Sequence, residues 1–462
     1  MAKTNNMTTG SPAKHILRFA VPLLLGNLFQ QFYNIVDTVI IGQYLGTSAL
    51  ASVGATGAIC FMIIGLCLGI CAGFGIPVAQ RFGAKDYPEM RRYIVNAVWT
   101  SIALAAVITT TVLLLCDNIL QVMNTPSDIY DGSYTYVSIL FMGIPLTIMY
   151  NLCASVVRAM GDSKTPLYFL IISSLLNIIL DLIMVKPFGI AGPAWATVIS
   201  QGISGVLCLI YMWKRFPIIR PEHGERRASP RHMGRLLLQG LPMGLQYSIT
   251  AIGSVILQTA VNGLGSAYVA AMAAGAKLSL FFGCPYEALG NTAATYGGQN
   301  IGAGRPDRLG KGLRVMLLYG LIYSIFAAVV LFAFGGVLSR LFMDEPDPFI
   351  EEHAHMLLKF NSAFYFLLAV VNTVRFLIQG MGYSILAVVA GVLEMFARAF
   401  VGFVLVDEFG YTAACMGNPA AWIAADVFLV TAFALILRKE KRKVALRGDG
   451  YLKEEQRKEE GT

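Results

Sequence analysis

The sequence is poor in charged residues. Asp, Glu, Lys and Arg make up 13% of its 462 residues, and 56% of the residues are hydrophobic. In soluble domains about a quarter of the residues are charged. The sequence also lacks any polar stretch between Ile16 and Leu437 that is long enough to form a separate soluble domain. These absences exclude an ordinary soluble protein and indicate a chain that crosses a membrane many times.

The chain also lacks the common signatures of enzymes and metal sites. It contains no His-Glu-x-x-His, no Gly-x-Ser-x-Gly and no Cys-x-x-Cys, and its five histidines lie near or outside the ends of the apolar runs. The eight cysteines all fall within or at the ends of those runs, as expected of small buried side chains. We therefore predict that the protein is not an enzyme, and that it has no disulfide and no cofactor.

Apolar runs close to the length of about 20 residues that a helix needs to cross a bilayer recur along the chain. About twelve can be distinguished, which predicts an all-α integral membrane protein. Their centres lie near residues 32, 65, 105, 142, 176, 202, 250, 281, 325, 366, 395 and 427. The first run is not followed by a small-residue cleavage site, so we expect it to be retained as a span.

The net charge of +8 is unevenly distributed along the chain. Basic residues lie on alternate connections, at residues 14–18, 81–92, 164, 214–235, 305–314 and 438–458. Acidic residues lie on the opposite connections, at residues 117–131, 344–352 and 407–408. The positive-inside rule then places both termini in the cytoplasm, as in a multi-pass protein of a bacterial-type plasma membrane. Because membrane topology accounts for the basic residues, we predict no nucleic-acid partner.

The two halves of the chain repeat one another. "LGTSALA" at residues 45–51 is echoed by "LGSAYVA" at residues 264–270, and "AQRFGAKD" at residues 79–86 is echoed by "GQNIGAGR" at residues 298–305. An offset near 219 residues that persists through each half indicates duplication. Six spans per repeat predict two six-helix lobes related by a pseudo-twofold axis along the membrane normal, with substrate held between them.

The predicted boundaries follow from this duplication. The ranges are an N-terminal lobe at 1–213, a basic cytoplasmic linker at 214–234, a C-terminal lobe at 235–440 and a polar cytoplasmic tail at 441–462. In the second span, Gly65, Gly69 and Gly73 recur at every fourth position. This spacing is typical of a helix that another helix approaches closely.

Several polar residues lie within the spans of the first half, where an ionisable group is by default a candidate for ion or proton handling. Asp37 shares a helical face with Tyr33 and Gln30, which stand four and seven residues before it. In the fifth span Asn177 and Asp181 are one turn apart, and Thr197 in the sixth span is expected at a similar depth.

Two interpretations of this layer remain open. The oxygens of Asp37, Asn177, Asp181 and Thr197 could bind a sodium ion, or the two carboxyl groups could bind a proton because desolvation and a like charge both disfavour ionisation. The alternative is structural, with Asp181 paired to Lys186 near the interface and Asp37 hydrogen-bonded as a buried acid.

The second half does not repeat this layer, because the offset places Ile256, Arg398 and Gly402 where the first half has its polar residues. It has other polar residues in its spans instead: Glu287, Arg375, Glu394, Arg398 and Asp426. Glu394 and Arg398, spaced four apart, favour an ion pair. We therefore place ion coupling in the first half and keep Glu287, Glu394, Arg398 and Asp426 as possible polar sites of the second.

Taken together, these motifs resemble the multidrug and toxic compound extrusion (MATE) family. The resemblance covers nearly the whole chain. It rests on the duplicated halves and on these motifs: Pro22, Gln30, Tyr33 and Asp37 in the first span, "GAKD", "RAMGDSKTP", "NIILD" and "GQNIGAG". In the branch that the chain resembles, Asp37 is the coupling acid, Gln30, Tyr33, Asn177, Asp181 and Thr197 surround it, and the first helix bends at Pro22. Other branches carry an acid in the seventh span, where this chain has "GLPMGLQYSITAIG".

The resemblance implies an antiporter that exports lipophilic, often cationic compounds in exchange for sodium or protons by alternating access. Its partners would be small amphipathic or cationic substrates and the lipid bilayer, and it would act as a monomer. The alternative function is a flippase for a lipid-linked or other amphipathic precursor. Such a protein should have a strongly basic central cavity, and this chain has few cations within its spans.

Overall fold

The fold is built entirely from helices within the part of the chain that the structure describes. The structure is a computed structural model that describes residues 6–123, 125–342 and 347–459, with side chains up to residue 446. Acidic residues at 344–345 and the last residues of the tail, 460–462, lie outside the described residues. The helices are α1 (Pro12–Gly83), α2 (Tyr87–Leu114), α3 (Cys116–Val122), α4 (Ser127–Met142), α5 (Ile144–Ala159), α6 (Lys164–Phe188), α7 (Ala191–Arg215), α8 (Pro230–Asn262), α9 (Ser266–Gly302), α10 (Asp307–Ser339), α11 (Pro348–Ala363), α12 (Tyr365–Gly380), α13 (Ser384–Phe400), α14 (Val406–Cys415) and α15 (Gly417–Glu459).

The prediction of twelve spans is confirmed. Nine described stretches are each long and apolar enough to cross a membrane, and the bent pairs α4–α5 and α11–α12 supply two more. The twelfth arises because α1 divides at Gly46, whose φ of 81° is not helical. The bends of 46° and 53° in the two broken spans were not predicted. Pro145 in the first turn of α5 has no N–H to continue the helical ladder of α4.

Left-handed turns repeat between the two halves and show the duplication in three dimensions. Gly46 (φ 81°) corresponds to Gly265 (φ 117°), and Gly189 (φ 56°) corresponds to Gly410 (φ 60°). Because a side chain disfavours this backbone conformation, glycine is the expected residue at each of these turns. Both repeats therefore reverse direction by the same device.

The two halves meet closely at one end of the bundle, which we call the basic end because it carries Arg81, Arg158 and Arg305. A Cβ atom on Gly69 would lie 2.5 Å from the carbonyl oxygen of Met243, and one on Gly73 would lie 2.5 Å from Cα of Gly240. The glycine spacing in the second span is thereby confirmed as a helix-packing face. Gly54, nearer the opposite end, has no neighbour within 4 Å of such an atom.

Two glutamines join the halves by equivalent hydrogen bonds at the basic end. Nε2 of Gln80 donates to the carbonyl of Gly380 at 3.1 Å, and Nε2 of Gln299 donates to the carbonyl of Ala159 at 2.9 Å. The first bond runs from the first half to the second, and the other runs from the second half to the first. The pair therefore follows the pseudo-twofold symmetry of the fold.

The segment between α7 and α8 is folded against the basic end of α2. Arg91 donates to Glu225 at 2.6 Å and to Glu222 at 2.9 Å, and only 8% of the Glu225 side chain is exposed. The backbone N–H of Ser229 donates to Asn96 Oδ1 at 2.7 Å. The linker is thus an ordered connection, held by charged hydrogen bonds that are stronger than neutral ones.

We expect Gly83→Ala to destabilise the junction between the halves. A Cβ atom at Gly83 would lie 2.0 Å from the carbonyl oxygen of Gln299, and overpacking of this kind costs about 1–3 kcal/mol. Thermal unfolding in detergent should show a lower midpoint. Gly57→Ala is the matched control, since a Cβ atom there meets nothing within 4 Å. Equal midpoints for the two variants would contradict the assigned contact.

We expect acid to weaken linker docking. The Arg91 guanidinium beside Glu225 holds the pKa of that carboxyl below its usual range. The resulting stabilisation is present above the ordinary glutamate pKa of about 4.3 and is lost as the pH falls through the lowered value. Unfolding of the wild type and of Glu225→Gln should be compared between pH 7 and pH 3. The variant should be less stable at pH 7, and its stability should fall less on acidification. Parallel curves would contradict this role for Glu225.

Candidate ion-coupling site

The predicted polar layer of the first half forms one cluster around Asp37. Asp37 lies in the first arm of α1 and is partly buried, and Asp181 in α6 is completely buried. Their carboxyl groups face one another within hydrogen-bonding range. Two ionised carboxylates at that distance repel each other, and a cation bound between them or a proton on one of them removes the repulsion.

Asn177 connects Asp181 to Thr197 of α7. With its amide nitrogen turned toward Asp181, Asn177 donates to Oδ2 of Asp181 at 3.3 Å, and its oxygen accepts from Oγ1 of Thr197 at 3.3 Å. In the opposite orientation the nitrogen donates to Thr197 Oγ1, and the amide oxygen faces only acceptors. Only the first orientation gives the amide nitrogen an acceptor and the amide oxygen a donor.

Two oxygens of the cluster are available to a ligand. Oδ1 of Asp37 and Oδ1 of Asp181 are buried and accept no hydrogen bond from any residue that the structure describes. Buried polar atoms usually have partners. The donor set of two carboxylates, an amide and a hydroxyl suits a hard cation, which prefers oxygen ligands, and the carboxyl pair alone suits a proton. Across the described ranges, no three Asp, Glu, His or Cys side chains group as a metal site.

Two tyrosines complete the surroundings of the acids. Tyr33, one turn before Asp37, lies within electrostatic range of both carboxyl groups. Tyr136 of α4 occupies a similar position and is 8% exposed. Sequence reasoning missed Tyr136. Its only signal was a hydroxyl-bearing ring within the fourth span, and helical spacing does not relate that span to the first.

The remaining residues of the first-half prediction lie at the edge of this cluster or outside it. Gln30 is exposed and Pro22 is buried within α1, well before Asp37. Lys186 lies over the ring of Tyr44, with Nζ 5.5 Å from its centroid. No ion pair between Lys186 and Asp181 occurs among the described side chains.

Glu287 lies apart from the cluster around Asp37. Its side chain on α9 is exposed and lies within electrostatic range of Arg158 on α5 of the other half. Tyr247 on α8 lies within electrostatic range of both. Arg158 also lines a small cavity between the halves, together with Ser155, Asn291 and Phe376. Glu287 therefore lies on the side of α9 that faces the junction between the halves.

The other charged residues of the second half form a buried network. Glu394 contacts Arg375 and lies 3.6 Å from Nη1 of Arg398, so it pairs with two arginines. Arg398 also donates to Oδ1 of Asn418 at 3.3 Å. Asp426 is 7% exposed, lies within electrostatic range of Arg375, and has two oxygens without a hydrogen bond from any described residue. The sequence anticipated the pair of Glu394 with Arg398 but not the part taken by Arg375.

The chain is similar to known membrane proteins along most of its length. The model of the MatE family matches residues 22–183 and again residues 242–404. The "Probable multidrug resistance protein YpnP" of Bacillus subtilis is 30% identical over 75% of this chain and 78% of its own length. The "Probable multidrug resistance protein YoeA" of the same organism is 27% identical over 92% of this chain and 94% of its own.

A solved structure has the same fold. The crystal structure of MATE in complex with MaL6 superposes with a TM-score of 0.90 at 20% identity, covering 96% of this chain and all of that one. The family match falls once on each half, as the internal repeat requires. The chain belongs to the MATE family of multi-pass membrane transporters.

Proposed function

We propose that this protein is a secondary active antiporter that exports lipophilic, often cationic compounds in exchange for sodium ions or protons. The observation that carries the proposal is the facing pair of Asp37 and Asp181, each with a buried oxygen that has no described partner. We place the protein in a bacterial plasma membrane as a monomer with both termini in the cytoplasm. We also propose that it is not an enzyme, and that it divides into lobes at residues 1–213 and 235–440, a linker at 214–234 and a tail at 441–462.

Coupling follows from the position of the acids. A bound sodium ion or proton neutralises the repulsion between Asp37 and Asp181 and holds α1 against α6. When the ion leaves, the like charges disfavour that arrangement. An ion shifts the equilibrium between two conformations only by the difference in its affinity for them. Asn177 and Thr197 would serve as further oxygen ligands if the ion is sodium.

Glu287 is the proposed contact for a cationic substrate. Its exposed carboxylate lies at the junction between the halves, within electrostatic range of Tyr247. A carboxylate attracts an organic cation, and an aromatic ring adds a favourable contact for it. The relatives named as multidrug resistance proteins support this class of substrate. A flippase for an anionic lipid-linked precursor is the weaker alternative, because this junction presents an acid as well as Arg158.

We expect Asp37→Asn to abolish coupled transport. The substitution removes the charge to which the coupling ion responds and keeps the size of the side chain. Ethidium efflux from proteoliposomes should be driven by an imposed sodium or proton gradient in the wild type and should fall to the level of empty liposomes in the variant. Asp181→Asn should behave similarly. Asp128→Asn, at an exposed acid outside the cluster, should retain efflux. Undiminished efflux in Asp37→Asn would make this acid structural.

We expect Glu287→Gln to weaken the recognition of cations. A partly desolvated charge contact contributes about 1–2 kcal/mol, so the KM for ethidium should rise about tenfold. The KM for an uncharged substrate should change little. Glu352→Gln, at an exposed acid of α11, controls for the loss of negative charge. An equal change for charged and uncharged substrates would exclude Glu287 as the cation contact.

A further inference from the structure

The residues before α1 are bound between the two halves at the basic end. Met7 is completely buried and belongs to a hydrophobic cluster made mostly of second-half side chains, including Tyr296 and Leu309. Its backbone N–H donates to Oε1 of Gln299 at 2.9 Å, and its carbonyl accepts from Nδ2 of Asn300 at 3.4 Å. This segment leads into the first helix of the first half, but its binding partners belong to the second half.

Arg308 of α10 holds the backbone of the same segment. Its Nη2 donates to the carbonyls of Met7 at 3.3 Å, Thr9 at 3.4 Å and Gly10 at 2.9 Å. Its Nε donates to Oδ1 of Asn300 at 3.1 Å. Arg308 is 8% exposed, and hydrogen bonds from a charged group are stronger than neutral ones. Arg308 thus recognises the shape of the backbone turn and not a particular side chain.

The turn itself depends on glycine. Gly10 has a φ of 75°, and a Cβ atom there would lie 3.0 Å from Nε2 of His15. The His15 ring in turn hydrogen-bonds to the backbone of Thr9. Another residue at position 10 would strain the backbone and press against the His15 ring. Replacing Gly10 therefore tests the turn and leaves the side chains that bind it unchanged.

The bound segment also reaches the junction between the halves. Gln299 accepts from Met7 through Oε1 and donates through Nε2 to Ala159 of the first half. Farther along α1, Gly26 packs against Leu170 of α6, with the side-chain carbon 3.3 Å from where a Cβ atom would lie. If α1 moves with α6 and the rest of the first half, its leading segment is pulled off Arg308.

The linker makes the corresponding contact in the opposite direction. The residues before α8, the first helix of the second half, dock onto α2 of the first half through Ser229 and Asn96. Asn96 also donates to the carbonyl of Arg227 at 3.5 Å. Each half is therefore preceded by a segment that is bound by the other half, and the pair follows the internal repeat.

We propose that residues 6–10 form a strap, that Gln299, Asn300 and Arg308 form its binding site, and that the bound strap holds the basic end closed. The basic end opens only when the strap leaves this site. A segment that binds only one of two conformations stabilises it by the free energy of that binding. The role of the strap in transport rests on the antiport proposed above, but its effect on closure does not.

The test is the distance between the halves at the basic end. Spin labels are placed at Lys164 and Lys311, which are exposed on opposite halves, in a chain whose native cysteines have been replaced. Distances are measured in lipid nanodiscs without drug or ion gradient. Gly10→Ala and Arg308→Ala should each raise the ratio of long to short distances about tenfold, since one lost hydrogen bond to a charged group costs about 1.5 kcal/mol.

Two variants provide matched controls. Arg305→Ala removes an exposed arginine that pairs with Asp307, and Gly234→Ala adds a methyl group where no atom lies within 4 Å. Both should keep the wild-type distances. Unchanged distances in Gly10→Ala, or an equal shift in Arg305→Ala, would overturn the proposal. Gly10→Ala decides the test if Arg308→Ala does not fold. Increased opening in a protein that shows no efflux would uphold the strap and refute the antiport function.

Discussion

The close approach of the two halves at the basic end is the contact on which the rest of the architecture depends. Glycines on α1 and α8 let the backbones touch, and Gln80 and Gln299 add a hydrogen bond in each direction. Close packing and interhelical hydrogen bonds are the forces that associate helices inside a bilayer, where lipid tails are as apolar as leucine. These contacts lie at the basic end, whereas a Cβ atom on Gly54, nearer the opposite end, would have no neighbour within 4 Å.

The two halves use their polar residues differently. In the first half, Asp37 and Asp181 face one another, and each has a buried oxygen with no hydrogen-bond partner among the described residues, which is why we propose that a proton or a cation binds there. In the second half, Glu394 lies between Arg375 and Arg398 and its charge is compensated. A compensated network holds helices in place, whereas an uncompensated pair changes its energy when an ion binds or leaves. The two halves therefore share one backbone fold but differ in whether their buried charges are compensated.

Helix α1 connects these regions. It carries Asp37 in its first arm, presents its glycine face to α8 in its second arm, and begins immediately after the segment held by Arg308. Asp37 and the start of α1 beside the segment held by Arg308 both belong to the first arm, which precedes the break at Gly46. Under the proposed coupling, a displacement of this arm at Asp37 would also move its start at the basic end.

The sequence by itself determined the helical class, the number of spans, the duplication and the facing polar residues of α1 and α6. Each of these depends on local hydropathy, on the repeat offset or on helical spacing, which can be read along the chain. Tertiary structure alone decided that Tyr136 joins the acids, that Arg375 shares Glu394 with Arg398, and that Met7 lies against Gln299. The contacts of Tyr136, Arg375 and Met7 each join separate elements of the chain, so they depend on how those elements pack against one another.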